Sequence, residues 1–132
     1  MIHVGQIAVL LAALRGHPSM PSDGLVATLH AALHGFNTQN CAQIYDTTAP
    51  WRRGPASRAD TIAACQQAFA DGDQHGVTLL RLMRDGPGRY LAAGVYRQPL
   101  LVRRVMLGRT TTARETMQLV QAGARWYVLA LW

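Results

Sequence analysis

The chain has 132 residues, 49% of them apolar, and a formal net charge of +6 at neutral pH. That length suits one domain and that apolar share one continuous core, which excludes a solenoid of short repeats and a disordered polar chain. The charge comes from 13 arginines against six aspartates and one glutamate, with no lysine; the arginines are spread along the sequence, which argues against nucleic acid as a partner because such binding wants a basic cluster and a recognisable motif.

Residues 1–20 form an apolar N-terminal segment, separate from a single domain expected over residues 21–132. The apolar run at residues 7–14 is followed by Gly16 and Pro18. No Arg or Lys precedes it and no clear small-x-small site follows Leu14, so the expectation is a short buried helix rather than a signal peptide. The run is too short to span a bilayer, which needs about 20 residues.

Ser22 then offers an N-cap, and Leu25, Leu29, Leu33 and Phe36 recur at helical spacing until Gly35 and Asn37 interrupt them. A shorter helix is expected over residues 40–47, with Cys41, Ile44 and Tyr45 turned inward. A loop holding Trp51 follows. Ser57 and Asp60 have capping-box spacing for a third helix, whose buried stripe is Ile62, Cys65 and Phe69 and whose end is marked by Asp71, Gly72 and Asp73.

From Val77 the apolar period changes to two, and turn signals divide the remainder into five strands at residues 77–84, 89–97, 100–108, 111–121 and 125–132. The turns are placed at residues 85–88, at Gln98-Pro99, near Arg109-Thr110 and at Ala122-Gly123. With connections this short the simplest sheet is an antiparallel meander of four to five strands. Centring each hairpin on its turn sets Leu80 opposite Ala93, Ala93 opposite Arg104, Arg104 opposite Glu115 and Glu115 opposite Ala130. One face then collects Leu80, Leu82, Leu91, Val95, Leu100, Val102, Met106, Met117, Leu119, Trp126, Val128 and Trp132 and should carry the helices. The other holds Tyr90, Tyr96, several arginines, Tyr127, Leu129 and Leu131, which suggests a dimer surface.

Cys41 and Cys65 make no metal-ligand or redox spacing. Two buried thiols would fit a cytoplasmic protein and are the expectation; a helix-to-helix disulfide would fit an exported one. His30 and His34 share a helix face, as two metal ligands would, but no third ligand is evident and two solvent-facing histidines account for them.

Three helices followed by a curved sheet resemble the nuclear transport factor 2-like superfamily, a cystatin-like α+β cone. The residues carrying the resemblance are the helix at residues 25–36 with GFNTQNCAQIYDTTAP at its end, then SRADTIAACQQAF, and AGARWYVLALW at the C-terminal end. It implies an apolar pocket between helices and sheet and, for many members, dimerisation through the open sheet face. Members similar to ketosteroid isomerase, scytalone dehydratase or limonene epoxide hydrolase place catalytic Asp, His, Tyr or Arg residues there, and none of those sets is matched.

A non-catalytic module binding a small apolar ligand, without cofactor or metal, is therefore the expected function. Its ligand-binding residues would be Tyr45, Trp51, Phe69, Arg104, Met106, Glu115, Met117 and Trp126. The polar spot is Arg104 with Glu115, the sole glutamate of the chain. A lyase, isomerase or hydrolase using Glu115 as base and Arg104 to position it is the alternative; an arginine surface for an acidic partner is a third reading.

Overall fold

Among the described residues three α-helices precede the sheet, and each begins where a polar side chain closes its first turn. The computed structural model describes residues 20–131, so the apolar segment at residues 7–14 and Trp132 lie outside the described residues. Helix α1 spans Asp23–Asn37 and starts where the Ser22 hydroxyl accepts from the Leu25 N–H. Helix α2, Cys41–Thr47, starts from the Asn40 side chain, and α3, Arg58–Gln74, from Ser57, which accepts from the Asp60 N–H as the capping spacing predicts. A 3-10 turn at Pro50–Arg52 joins the last two.

Cys41 and Cys65 form a disulfide between α2 and α3, with Cα atoms 5.9 Å apart, in place of the two thiols expected. Both helices are short on buried surface. Cys41 is the buried residue of α2, and α3 has none, so the cross-link compensates for packing that these helices lack.

The sheet comprises β1 (Val77–Arg84), β2 (Arg89–Ala92), β3 (Val95–Met106), β4 (Arg109–Ala122) and β5 (Arg125–Leu131). Its order is β1-β3-β4-β5, with β2 also beside β3. This corrects the simple meander at one place. Gln98 and Pro99 are not a turn: β3 runs straight through them, and β1 and β2 share one flank of it. Proline is tolerated because the gap between β1 and β2 falls there; the Pro99 carbonyl accepts from the Asp85 N–H beyond the end of β1, so the missing N–H faces no strand. The Leu80–Ala93 and Ala93–Arg104 pairings therefore do not form.

Removing that turn inverts the parity of residues 89–97, while Leu82 of β1 keeps its inner face because β1 pairs with β3 directly. Tyr96, directly opposite Tyr90, faces the helices and is buried, and the two rings meet edge to face at 5.0 Å. Leu91 is exposed instead. Burial pushes the Tyr96 phenol above its ordinary pKa.

The β3–β4 turn is Leu107-Gly108, both with positive φ, which matches the twist of a two-residue hairpin. Leucine is an unusual residue there, so the sequence signal was weak. Arg104 consequently lies opposite Thr111, and Glu115 opposite Leu100, four residues from the expected register. An even shift preserves the face, so Arg104 and Glu115 still share one. Glu115 has no partner in β5, because Ala130 pairs with Gln118.

Two bulges alter the inner face further. The register of β1 against β3 shifts between Leu79 and Arg81, turning Leu79 inward with Leu82. The register of β5 against β4 shifts at Leu129, so Leu131 pairs with Met117 and turns inward rather than outward.

The core is Leu25, Leu29 and Ala32 of α1 against Leu82, Tyr96, Leu100, Val102, Met117, Leu119, Trp126 and Val128 of the sheet. Asn37 joins the layers by a second means. Its side-chain amide donates to the Leu82 carbonyl (2.9 Å) and its oxygen accepts from the Leu82 N–H (2.6 Å), standing in for a strand on the free edge of β1. At the opposite edge the Ala49 N–H donates to the Val128 carbonyl.

Candidate functional site

A cavity of about 450 Å³ lies between the C-terminal half of α3 and the inner face of the sheet. Phe36, Phe69, Leu79, Leu82, Val102 and Leu131 supply its apolar wall. Val77 and Leu131 are partly exposed, so the cavity meets solvent at their end. It exists because the sheet extends past the helices: α1 covers the end holding Tyr96 and Trp126, while α3 crosses the other end with few inward apolar side chains. Gly72 is essential to that crossing. A Cβ at this position would stand 2.7 Å from the Val77 carbonyl oxygen, so only glycine allows the end of α3 to approach β1 so closely.

Three polar side chains enter this apolar surround. Asp73 of α3, Arg104 of β3 and Glu115 of β4 all line the cavity. The Arg104 Nη2 atom lies 3.5 Å from Glu115 Oε1, with 35% and 26% of the two side chains exposed. A partly exposed ion pair contributes little to stability, and this one is too long for a strong hydrogen bond. Its chemical content is positional: a guanidinium fork and a carboxylate are held side by side at the edge of an apolar space, with N–H groups unspent.

The other expected site residues lie elsewhere, apart from Phe69. Met117 is fully buried in the core between α1 and the sheet, and Trp126 packs there against Tyr90 at 6.2 Å between ring centroids. Met106 points to the inner side but is 42% exposed at the tip of the β3–β4 hairpin, beyond the helices. Trp51 is 57% exposed in the 3-10 turn. Tyr45 belongs to a separate, small cavity of about 120 Å³ beside the disulfide. There the Arg53 guanidinium stacks 4.7 Å from the Tyr45 ring centre while its Nε donates to the carbonyls of Tyr45 and Thr48, so Arg53 and Tyr45 brace the loop after α2. Close by, Arg58 and Asp46 form a two-pronged ion pair that holds the Asp46 carboxyl below its usual range.

Leu79, Leu131 and Asp73 were not anticipated as cavity residues. The first two reach it through bulges, for which the sequence has no local marker; Asp73 reads as a helix-stop residue. His34 contacts the Gln43 side chain, and among the described residues no group of three His, Cys, Asp or Glu side chains could hold a metal ion. Nor is any helix among them long and apolar enough to cross a membrane.

The fold is a cystatin-like α+β fold, similar to that of a domain from Nostoc punctiforme with a TM-score of 0.53 and 16% identity over 80% of this chain and 70% of that one. It is similar to a SEC-C motif-containing protein from Rhodopseudomonas palustris, with a TM-score of 0.56 and 18% identity over 80% of this chain and 75% of that one. It is also similar to Aln2 from a Streptomyces species, at TM-score 0.54 and 12% identity over 86% and 91%. A protein from Catenulispora acidiphila in complex with S-DNPA gives a TM-score of 0.52 and 16% identity over 95% and 92%. No family model matches the chain, and no curated protein matches it. At these identities the likeness is one of fold.

Proposed function

We propose that this protein is a binding module for a small, mostly apolar molecule, taken into the cavity between α3 and the sheet and oriented by Arg104 and Glu115. The observation that carries the reading is a volume of about 450 Å³ with apolar walls and one ion pair at its edge. Ligand pockets run from about 300 to 1,000 Å³ and combine apolar lining with a few fixed polar groups. The Catenulispora protein in complex with S-DNPA supports the reading as a case of the same fold in complex with a small molecule.

The test uses N-phenyl-1-naphthylamine, a neutral apolar fluorophore. Its emission should rise on 1:1 binding, and Leu79→Trp, which fills the cavity from β1, should abolish the rise while the protein stays folded by circular dichroism. No enhancement, or enhancement indifferent to Leu79→Trp, refutes the reading. The catalytic alternative draws on Glu115, Arg104 and Asp73 sharing one cavity; it requires turnover of a bound compound that Glu115→Gln removes without removing binding.

A homodimer through the outer sheet face remains the finer expectation from the resemblance. The outer face counts against it. Two copies meeting there would bring directly opposed arginine pairs together, with almost no carboxylates to offset them.

A further inference from the structure

Folding gathers arginines that the sequence spreads out. Residues 77–131 hold nine arginines against Asp85 and Glu115, whereas residues 20–76 hold three against five aspartates. The sheet is therefore strongly basic and the helical layer mildly acidic. On the outer sheet face Arg81 lies directly opposite Arg103, and Arg89 directly opposite Arg97. Arg114, opposite Leu101, is two residues along from the first pair on the same face. The nearest acid is Asp85, 3.8 Å from Arg114 in an exposed contact.

Like charges placed directly opposite on a sheet are destabilising, so the free fold carries two unfavourable contacts that a counter-anion would convert into favourable ones. Two guanidinium forks converging from neighbouring strands suit the oxygens of a phosphate group. The pairs stand six residues apart along β3, about 20 Å. Between and beside them the same face presents Met83, Leu101, Val95 and Val120, all half-buried.

The chemistry between the pairs selects the kind of polyanion. A nucleic-acid strand would need aromatic side chains on which its bases could stack; the outer positions between the pairs are Leu101, Pro99, Met83 and Thr116, and Tyr127, beside Val120, lies beyond the second pair with the Arg53 guanidinium over its ring. Aliphatic side chains among phosphate-binding arginines suit a lipid surface, where phosphates overlie the start of the acyl region. The Cys41–Cys65 disulfide also fits an oxidising compartment, one that includes the outer face of a cell membrane. We infer that the outer sheet face docks on an anionic phospholipid surface, with the Arg81–Arg103 and Arg89–Arg97 pairs engaging lipid phosphates.

Co-sedimentation of the whole chain with vesicles of phosphatidylcholine containing phosphatidylglycerol, against vesicles of phosphatidylcholine alone, tests this. The protein should bind the anionic vesicles, bind the neutral ones far less, and lose affinity as salt rises. Arg97→Thr with Arg103→Thr removes one member of each opposed pair. It should weaken vesicle binding about thirtyfold, while the melting temperature holds or rises because the like-charge contacts are gone. Equal binding to both vesicle types, undiminished binding by the double variant, or a fall in its melting temperature overturns the inference. So does tighter binding to a short DNA duplex than to anionic vesicles at the same salt, which would reassign the face to nucleic acid.

Discussion

Reducing the Cys41–Cys65 bond should show how much of the helical layer depends on it. The bridge joins residues 24 apart, and chain-entropy reasoning for a loop of that length gives about 3.5 kcal/mol of stabilisation through restriction of the unfolded chain. Against a total of 5–15 kcal/mol for a typical domain, that share is large. With a urea m-value of about 2 kcal/mol per molar, loss of the bond should lower the unfolding midpoint by about 1.7 M. Paired urea titrations with and without reductant, followed by circular dichroism, measure this directly; Cys41→Ala with Cys65→Ala supplies the same comparison without reductant. Intact mass must fall by two hydrogens in the untreated protein relative to the reduced one. Coincident midpoints in a protein shown by mass to be bridged would refute the reasoning, because α2 and α3 would then be held by their packing alone.

Asn37→Ala should destabilise the protein by about 2 kcal/mol, one increment for each hydrogen bond to Leu82, with faster amide exchange at Leu82; Asn37→Asp, which keeps the acceptor and loses the donor, should fall between. Tyr96 sets an alkaline limit. Its pKa is raised by burial, so its stabilising effect is complete below the ordinary value of about 10 and is lost as pH rises through the raised value. Unfolding followed against pH should steepen above about pH 10 in the wild type and less so in Tyr96→Phe.

The legible part of this fold was the part governed by local spacing. Ser22, Asn40 and Ser57 start helices where their side chains suggest, and the pairing of Leu100, Val102, Met117 and Leu119 on one face follows from alternation alone. What escaped was decided between strands. Gln98-Pro99 reads as a turn because proline seldom sits within a sheet, and only the end of β1 at Arg84 leaves the gap that admits it. Arg104 and Glu115 were placed on one face from a register four residues out, since an error of even size leaves the face unchanged. Among the candidate site residues, Phe69, Arg104 and Glu115 come together at the cavity. Tyr45, Trp51 and Met106 do not, because their aromatic or sulfur side chains indicate a preference for apolar surroundings and not which surroundings. The arginine pairs were invisible for the same reason as the bulges: Arg81 and Arg103 are distant in sequence and adjacent only once β1 crosses to β3.

The two bulges make the cavity wall depend on pairing register as much as on side-chain identity. Leu79 and Leu131 face the cavity because each bulge absorbs one residue, in β1 after Leu79 and in β5 at Leu129. Deleting residue 129 would remove the bulge and leave the leucine at 131 opposite Met117 on the inner face, whereas a strand that kept residue 129 in regular pairing would turn that leucine outward and open the mouth of the cavity. The lining of this half of the cone is therefore set by where two strands break their pleat, a coarser control than substitution and one that leaves the α1 half of the core untouched.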